Sequence, residues 1–227
     1  MGLINTLLYG AERLLSLFGN KVSLYKYYLV AQPVSSTSQL PEHRGHSIYV
    51  RQIQQHESVL KHFPRPQEVI QSHYRQDAIC LGAFKKDELL GYAWILLDTY
   101  EEDEVRCFFV PIPEGVSAWD FDIYLYPKHR IGFAFPRLWD EVNAYLRNHN
   151  SEWTMSRISA FNKGSLVSHQ KLGARLLGSA LFLVVGSWQL MLATVSPFIH
   201  LSMKQRSVPT IRAYPPRHYD DPEGNHY

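Results

Sequence analysis

The stretch LLGSALFLVVGSWQLMLATVSPFIHL, residues 176–201, carries no Asp, Glu, Lys or Arg and is long enough to cross a bilayer as a single helix. It forces a choice between a membrane span and buried sheet. Gly186-Ser187 interrupts it with a two-residue turn signal between a Val-rich run and a Trp/Leu-rich run, and Trp188, Gln189 and Pro197 also disfavour a span. The segment therefore reads as a tight hairpin of two buried strands, which makes the chain a sheet protein with a core.

The rest of the chain supports that core. Its 227 residues are enough for one large domain or a domain with appendages, and 45% hydrophobic with 19% charged residues is a soluble globular composition. A net charge of +2 gives no basic field of the kind that nucleic-acid binding needs, so no nucleic-acid partner is expected. The eleven His are scattered, with no H-E-x-x-H or CxxC spacing, so no metal is expected. Cys80 and Cys107 lie in apolar strand-like runs and read as buried free thiols in a reducing, cytoplasmic setting.

Periodicity orders the elements. Strands are expected over 21–34, 46–53, 78–86, 88–100 and 118–127, with a further extended run after the acidic knot EEDEVR. Two short helices, HESVLKHF and PQEVIQSHYRQ, are separated by Pro64 and Pro66. The longest amphipathic helix is expected over 133–149, with Pro136 in its first turn, followed by a strand over 154–161, a short helix from Asn162 and the apolar hairpin. This is a mixed α/β layer fold. Residues 1–19 carry Leu3, Ile4, Leu7, Leu8, Leu14, Leu15 and Phe18 at helical spacing but lack a basic start and a cleavage site. They read as an amphipathic helix packed on its own domain, with peripheral contact to a membrane surface through residues 1–20 as the alternative. From residue 202 the chain turns polar, Pro-rich and aperiodic, and reads as a disordered tail. The expected division is residues 1–45 (helix, strand and linker), a domain over 46–201, and a tail over 202–227.

One short segment concentrates polar groups. In NKGSLVSHQKLGA, Asn162, Ser165, His169 and Leu172 share one helix face. Asn162 suits the helix start and Gly173 its end, but capping leaves Ser165 and His169 unexplained. Here the chain resembles the GNAT superfamily of acyl-CoA-dependent N-acetyltransferases, over roughly residues 46–194. After their fifth strand these proteins carry an Asn, a small residue three positions on, a Tyr at seven, a Lys at nine, a Gly at eleven and an aromatic at twelve. This chain has Asn162, Ser165, His169, Lys171, Gly173 and Ala174.

The resemblance implies a GNAT-like fold, a central mixed, mostly antiparallel sheet with helices on both faces. It also implies acetyl-CoA or a longer acyl-CoA as cosubstrate, with no metal, and transfer of the acyl group to an amine acceptor that the sequence leaves unidentified. Asn162, Ser165, Ser168 and Lys171 would line the coenzyme A arm, and His169, standing where the family has Tyr, would return a proton to the leaving thiolate. The family's pyrophosphate loop, [QR]-x-x-G-x-[GA], corresponds to PKHRIGFAF. Gly132 and Ala134 match its spacing, while His129 replaces the Gln or Arg and Arg130 comes one residue too close. The backbone of Tyr124 and Leu125 and of His129, Arg130, Ile131, Gly132, Phe133 and Ala134 would polarise the carbonyl and hold the phosphates.

The amine must also lose a proton. The candidates are Glu101, Glu102, Asp103 and Glu104, and Asp120 with Asp122, which strand alternation places on one face. Asp122 is the preferred acceptor, with Glu104 next and Arg106 or Arg157 as the cation that holds these acids ionised. A second reading keeps the fold without the chemistry, as an interaction or membrane-surface module.

Overall fold

A computed structural model describes residue 10 and residues 22–41, 43–203 and 207–216. The amphipathic segment expected over residues 1–19 and the last eleven residues lie outside this description, apart from residue 10.

Strands β1 (Val22–Pro33), β2 (Tyr49–Ile53), β3 (Ile79–Lys85), β4 (Glu88–Leu96), β7 (Ser117–Leu125), β8 (Trp153–Ser159), β9 (Arg175–Val185), β10 (Trp188–Ala193) and β11 (Ile199–Met203) form one sheet. Their order is β11-β10-β9-β1-β8-β7-β4-β3-β2. A small second sheet orders β12 (Thr210–Ala213), β6 (Phe108–Pro111) and β5 (Tyr100–Glu101). Every neighbouring pair in the large sheet is antiparallel except β7 and β8. That pair is joined by a helical crossover, α2 (Ala134–Asn148), as a parallel connection requires. This is the mixed, mostly antiparallel α/β architecture that the resemblance implies.

The helices follow from their periodicity. In α2 the buried Ala134, Leu138, Trp139, Val142 and Leu146 form one stripe, which packs on β2, β3, β4 and β7 with Ala83, Ala93, Ile95 and Ala118. The opposite face of the sheet carries the larger core. Helix α1 (Gln67–Arg75), a 3₁₀ turn (Ser58–His62) and the small sheet cover Trp94, Trp119, Phe121, Phe182 and Met191 there. HESVLKHF thus supplies only the 3₁₀ turn, with Phe63 already extended. A third helix, α3 (Lys163–Lys171), follows β8.

Three sequence expectations change. The strand assigned to an N-terminal appendage is β1, central in the sheet between β9 and β8, so no boundary falls at residue 46. Within the polar tail expected from 202, β12 pairs in parallel with β6 and buries Ile211 and Ala213. The 176–201 hairpin turns at Gly186-Ser187 as expected, but only one of its faces is buried. Among the described residues no helix is long and apolar enough to cross a membrane.

Candidate active site

Strands β7 and β8 pair only from Ser117/Trp153 to Trp119/Met155 and then part. Beyond that point β7 stays on β4 and β8 stays on β1, so a gap opens in the sheet at the carboxyl ends of its one parallel pair. Crevices of this kind present unpaired strand backbone to a ligand. The loop 126–133 leads from β7 into α2 on one side, and β8 leads into α3 on the other.

A bulge sits at the mouth of the gap. The β4–β7 register runs Leu96↔Trp119, Ile95↔Asp120, Trp94↔Phe121, then slips to Tyr92↔Tyr124, and Asp122 has φ 43°. The extra residue turns Phe121 and Asp122 toward the same side. Alternation had placed Asp120 and Asp122 on one face. The bulge instead separates them.

Asp122 faces α1. Its Oδ1 accepts from Arg65 Nε at 2.9 Å, and its buried Oδ2 has no hydrogen-bond partner among the described residues. The paired cation is therefore Arg65, not Arg106 or Arg157. Nearby, His73 on α1 lies edge-on to Phe121 and Trp94, with both ring nitrogens unpartnered among the described residues, and burial lowers its pKa.

Asp120 points to the α2 face, fully buried, and accepts from Thr154 Oγ1 at 2.7 Å, while its Oδ2 has no partner among the described residues. Burial raises its pKa, with the charge of His169 and the hydroxyls of Thr154 and Ser156 opposing.

The acidic run forms a network on the Asp122 side. Arg157 on β8 makes a two-point contact with Glu102, at 2.7 Å from Nε and 2.5 Å from Nη2, and also reaches Glu104 at 3.2 Å and Asp103 at 3.6 Å. Tyr27 on β1 donates to Glu104 Oε2 at 2.8 Å. Complete burial pushes Glu102 up to about 7, against the pull of Arg157. Burial also pushes Asp103 up, but its hydrogen bond with Glu102 and the nearby guanidiniums outweigh this and hold it low. Arg65 feels Asp103 and Glu104 as well as Asp122, so the cluster is electrostatically continuous with the gap. Arg106 is engaged elsewhere, its Nη2 donating to the Ser187 carbonyl.

The other candidates divide into open and occupied groups. Gly132 has φ 128°, and a Cβ there would meet nothing within 4 Å, so the loop before α2 is open space around a conformation suited to Gly. Ile131 is 95% exposed, and Phe133 starts α2 with no side-chain cap, leaving the first N–H groups of the helix available. Arg130 folds back, Nε donating to the Leu125 carbonyl at 3.1 Å with its guanidinium over Tyr124. His129 is held at 3.2 Å by Glu88, which also pairs with Lys128. Tyr124 stacks on Tyr92, and Leu125 packs toward α2.

On α3, Asn162 Oδ1 accepts from Ser165 N at 3.1 Å, Ser168 Oγ donates to the Gly164 carbonyl, and Lys171 is exposed. Gly173 ends the helix at φ 86°, as expected. His169 differs from expectation. It is 3% exposed, with Nδ1 3.3 Å from Gln32 Oε1 and its ring edge-on to Trp139, and burial lowers its pKa. His169 is therefore buried rather than a solvated surface residue.

The loop after β7 and the helix after β8 thus flank one gap, where the resemblance places the pyrophosphate loop and the Asn motif. This is the arrangement of sheet, loop and helix that the resemblance implies.

No family model and no curated protein matches the chain. Solved structures do. A functionally unknown conserved protein from Staphylococcus epidermidis is similar over 77% of this chain and 68% of its own, with 13% identity and a TM-score of 0.49. A tandem GNAT protein from the clavulanic acid biosynthesis pathway is similar over 77% of this chain and 57% of its own, at 14% identity and TM-score 0.47. A putative acetyltransferase of the GNAT family from Novosphingobium aromaticivorans is similar over 71% and 66%, at 11% identity and TM-score 0.46.

Sequence reasoning missed Arg65, Gln32, Tyr27 and His73. Arg65 lies between the two prolines read only as a helix break, and the other three sit in elements whose apolar pattern drew attention first.

Proposed function

We propose that this GNAT-like chain is an acyl-CoA-dependent N-acyltransferase that binds its cosubstrate in the gap between β7 and β8. The observation that carries this reading is the parting of the parallel pair beside a bulge that leaves Asp122 Oδ2 without a partner among the described residues. The open backbone of 131–134 and the uncapped start of α2 supply N–H donors for a pyrophosphate, with Arg130 beside them. Asn162, Ser165, Ser168 and Lys171 flank the pantetheine arm from α3.

Unpaired β7 backbone beyond Trp119 polarises the thioester carbonyl. The acceptor nitrogen attacks that carbon, the carbon–sulfur bond breaks, Asp122 takes the amine proton, and the thiolate leaves to be protonated by water. Arg65 fixes the direction of Asp122. Glu104, 34% exposed at its side chain, lies on the water side of the network as the proton's exit. Around Asp122 four carboxylates, Glu102, Asp103, Glu104 and Asp122, face two guanidiniums, Arg65 and Arg157, which favours a cationic amine.

A second reading, a GNAT-like module that binds without turnover, draws on the burial of His169 and the pairing of His129 with Glu88.

Calorimetric titration with acetyl-CoA and with a long-chain acyl-CoA tests the proposal. Binding is expected, and Gly132→Glu should abolish it by adding a carboxylate and a strained residue to the phosphate loop. A folded protein that binds neither ligand overturns the transferase reading. Binding without acylation of any amine in a polyamine, amino-sugar and peptide panel favours the second.

A further inference from the structure

On the side of the large sheet that carries α2 and α3, α2 lies over β2, β3, β4 and β7, and α3 sets His169 against Gln32 of β1. The next four strands, β1, β9, β10 and β11, present an apolar face on that side. In register it forms rows, Val22–Val185–Trp188–Met203 at one end and Leu24–Leu183–Leu190–Leu201 beside it. The third row runs Lys26–Leu181–Leu192–Ile199, so the face is apolar except for one charge at its β1 end. Trp188, Val185, Leu192, Leu201, Ile199 and Met203 are 49%, 45%, 42%, 59%, 69% and 39% exposed. The other side of these strands is buried, with Ala180, Phe182, Gln189, Met191 and Ser202 facing the core. A contiguous apolar face of this kind on a sheet calls for a covering layer.

We propose that the segment preceding β1, residues 1–21, covers this face as an amphipathic helix. Three observations select it over other occupants. The segment joins the sheet at Val22, inside the outermost apolar row, so its attachment point is already at the edge of the bare face. Leu3, Ile4, Leu7, Leu8, Ala11, Leu14, Leu15 and Phe18 recur at helical spacing, and Gly19-Asn20 follows as a stop signal before the strand. Sixteen helical residues span about 24 Å at ~1.5 Å each, against about 15 Å for four strands ~4.8 Å apart, so one helix laid obliquely covers the face. The hairpin's uncharged sequence then has one explanation: both of its sides are packed, one on the core and one on the chain's own N-terminus.

Maleimide labelling of Leu201→Cys tests this, because Leu201 lies in the middle row and Cys80 and Cys107 are buried. In the full chain, at concentrations where sedimentation shows a monomer and without lipid, the new thiol should react slowly. Deleting residues 1–20, or substituting Leu7→Asp with Leu14→Asp in the full-length chain, should speed labelling severalfold while far-UV circular dichroism stays folded. Fast labelling in the lipid-free monomeric full chain overturns the proposal whether or not either variant folds. Protection that appears only on self-association assigns the face to a second copy, and protection only on phosphatidylglycerol vesicles assigns it to a lipid surface. Either result overturns it too.

Discussion

Asp122 sits at φ 43° in a strand bulge, held on one oxygen by Arg65 and open on the other. If it takes the amine proton, Asp122→Asn should lower kcat by about 10²- to 10⁴-fold while leaving the acyl-CoA Kd unchanged in calorimetry. Equal loss of binding and turnover would assign it to cosubstrate binding instead. The Arg157–Glu102 pair makes a different demand. Removing one member of a buried pair costs about 3–5 kcal/mol, so Arg157→Met should lose roughly that much stability in urea at pH 8. Glu102 has a folded pKa raised above its unfolded value, to about 7, so its protonated form is favoured in the folded state. That contribution is fully present below the unfolded pKa and lost as pH rises through the folded one. Loss of the arginine raises the folded pKa further, and the deficit of the variant should therefore be smaller at pH 5 than at pH 8. At this scale the carboxylates were legible in sequence but their directions were not. The split of Asp120 from Asp122 depends on a one-residue slip against β4, which no local pattern records.

At the scale of elements, α3 shows how one residue serves two ends. Asn162 caps the helix through Ser165 N. Asn162→Ala should cost about 1 kcal/mol of stability, read from thermal unfolding, as loss of a side-chain cap does. In the proposed site it should also weaken acyl-CoA binding, by more than Ser168→Ala, whose hydroxyl is spent on the Gly164 carbonyl. Titration of the two variants checks this, and equal affinities would confine Asn162 to capping. The long helix and the hairpin turn were readable because each declares itself within its own residues, α2 through a 3.6-residue stripe and the hairpin through Gly186-Ser187. HESVLKHF carried helical spacing too, yet Pro64 forces Phe63 into an extended conformation and leaves only a 3₁₀ turn.

At the scale of the whole molecule, residues 207–216 act as a closing piece. Ile211 is completely buried where β12 joins β6 beneath the large sheet, so Ile211→Ala should cost about 2–5 kcal/mol, measured by denaturant unfolding. A change near zero would show that β12 is dispensable, as its polar, proline-rich surroundings had suggested. Composition hid this strand because four residues paired to a distant partner need no pattern of their own. The central place of β1 was hidden for the same reason: its partners, β8 and β9, lie more than a hundred residues away. By itself the sequence determined the long helix and most strands, the turn inside the apolar run, the mixed sheet class and the loop and helix that flank the candidate site, since each rests on local periodicity, caps or short motifs. Only the tertiary structure decided where β7 and β8 part, which way Asp122 turns, that Arg65 and not Arg106 meets it, and that His169 is buried. Those depend on register and on contacts between distant segments, whose energies are set by which surfaces finally meet.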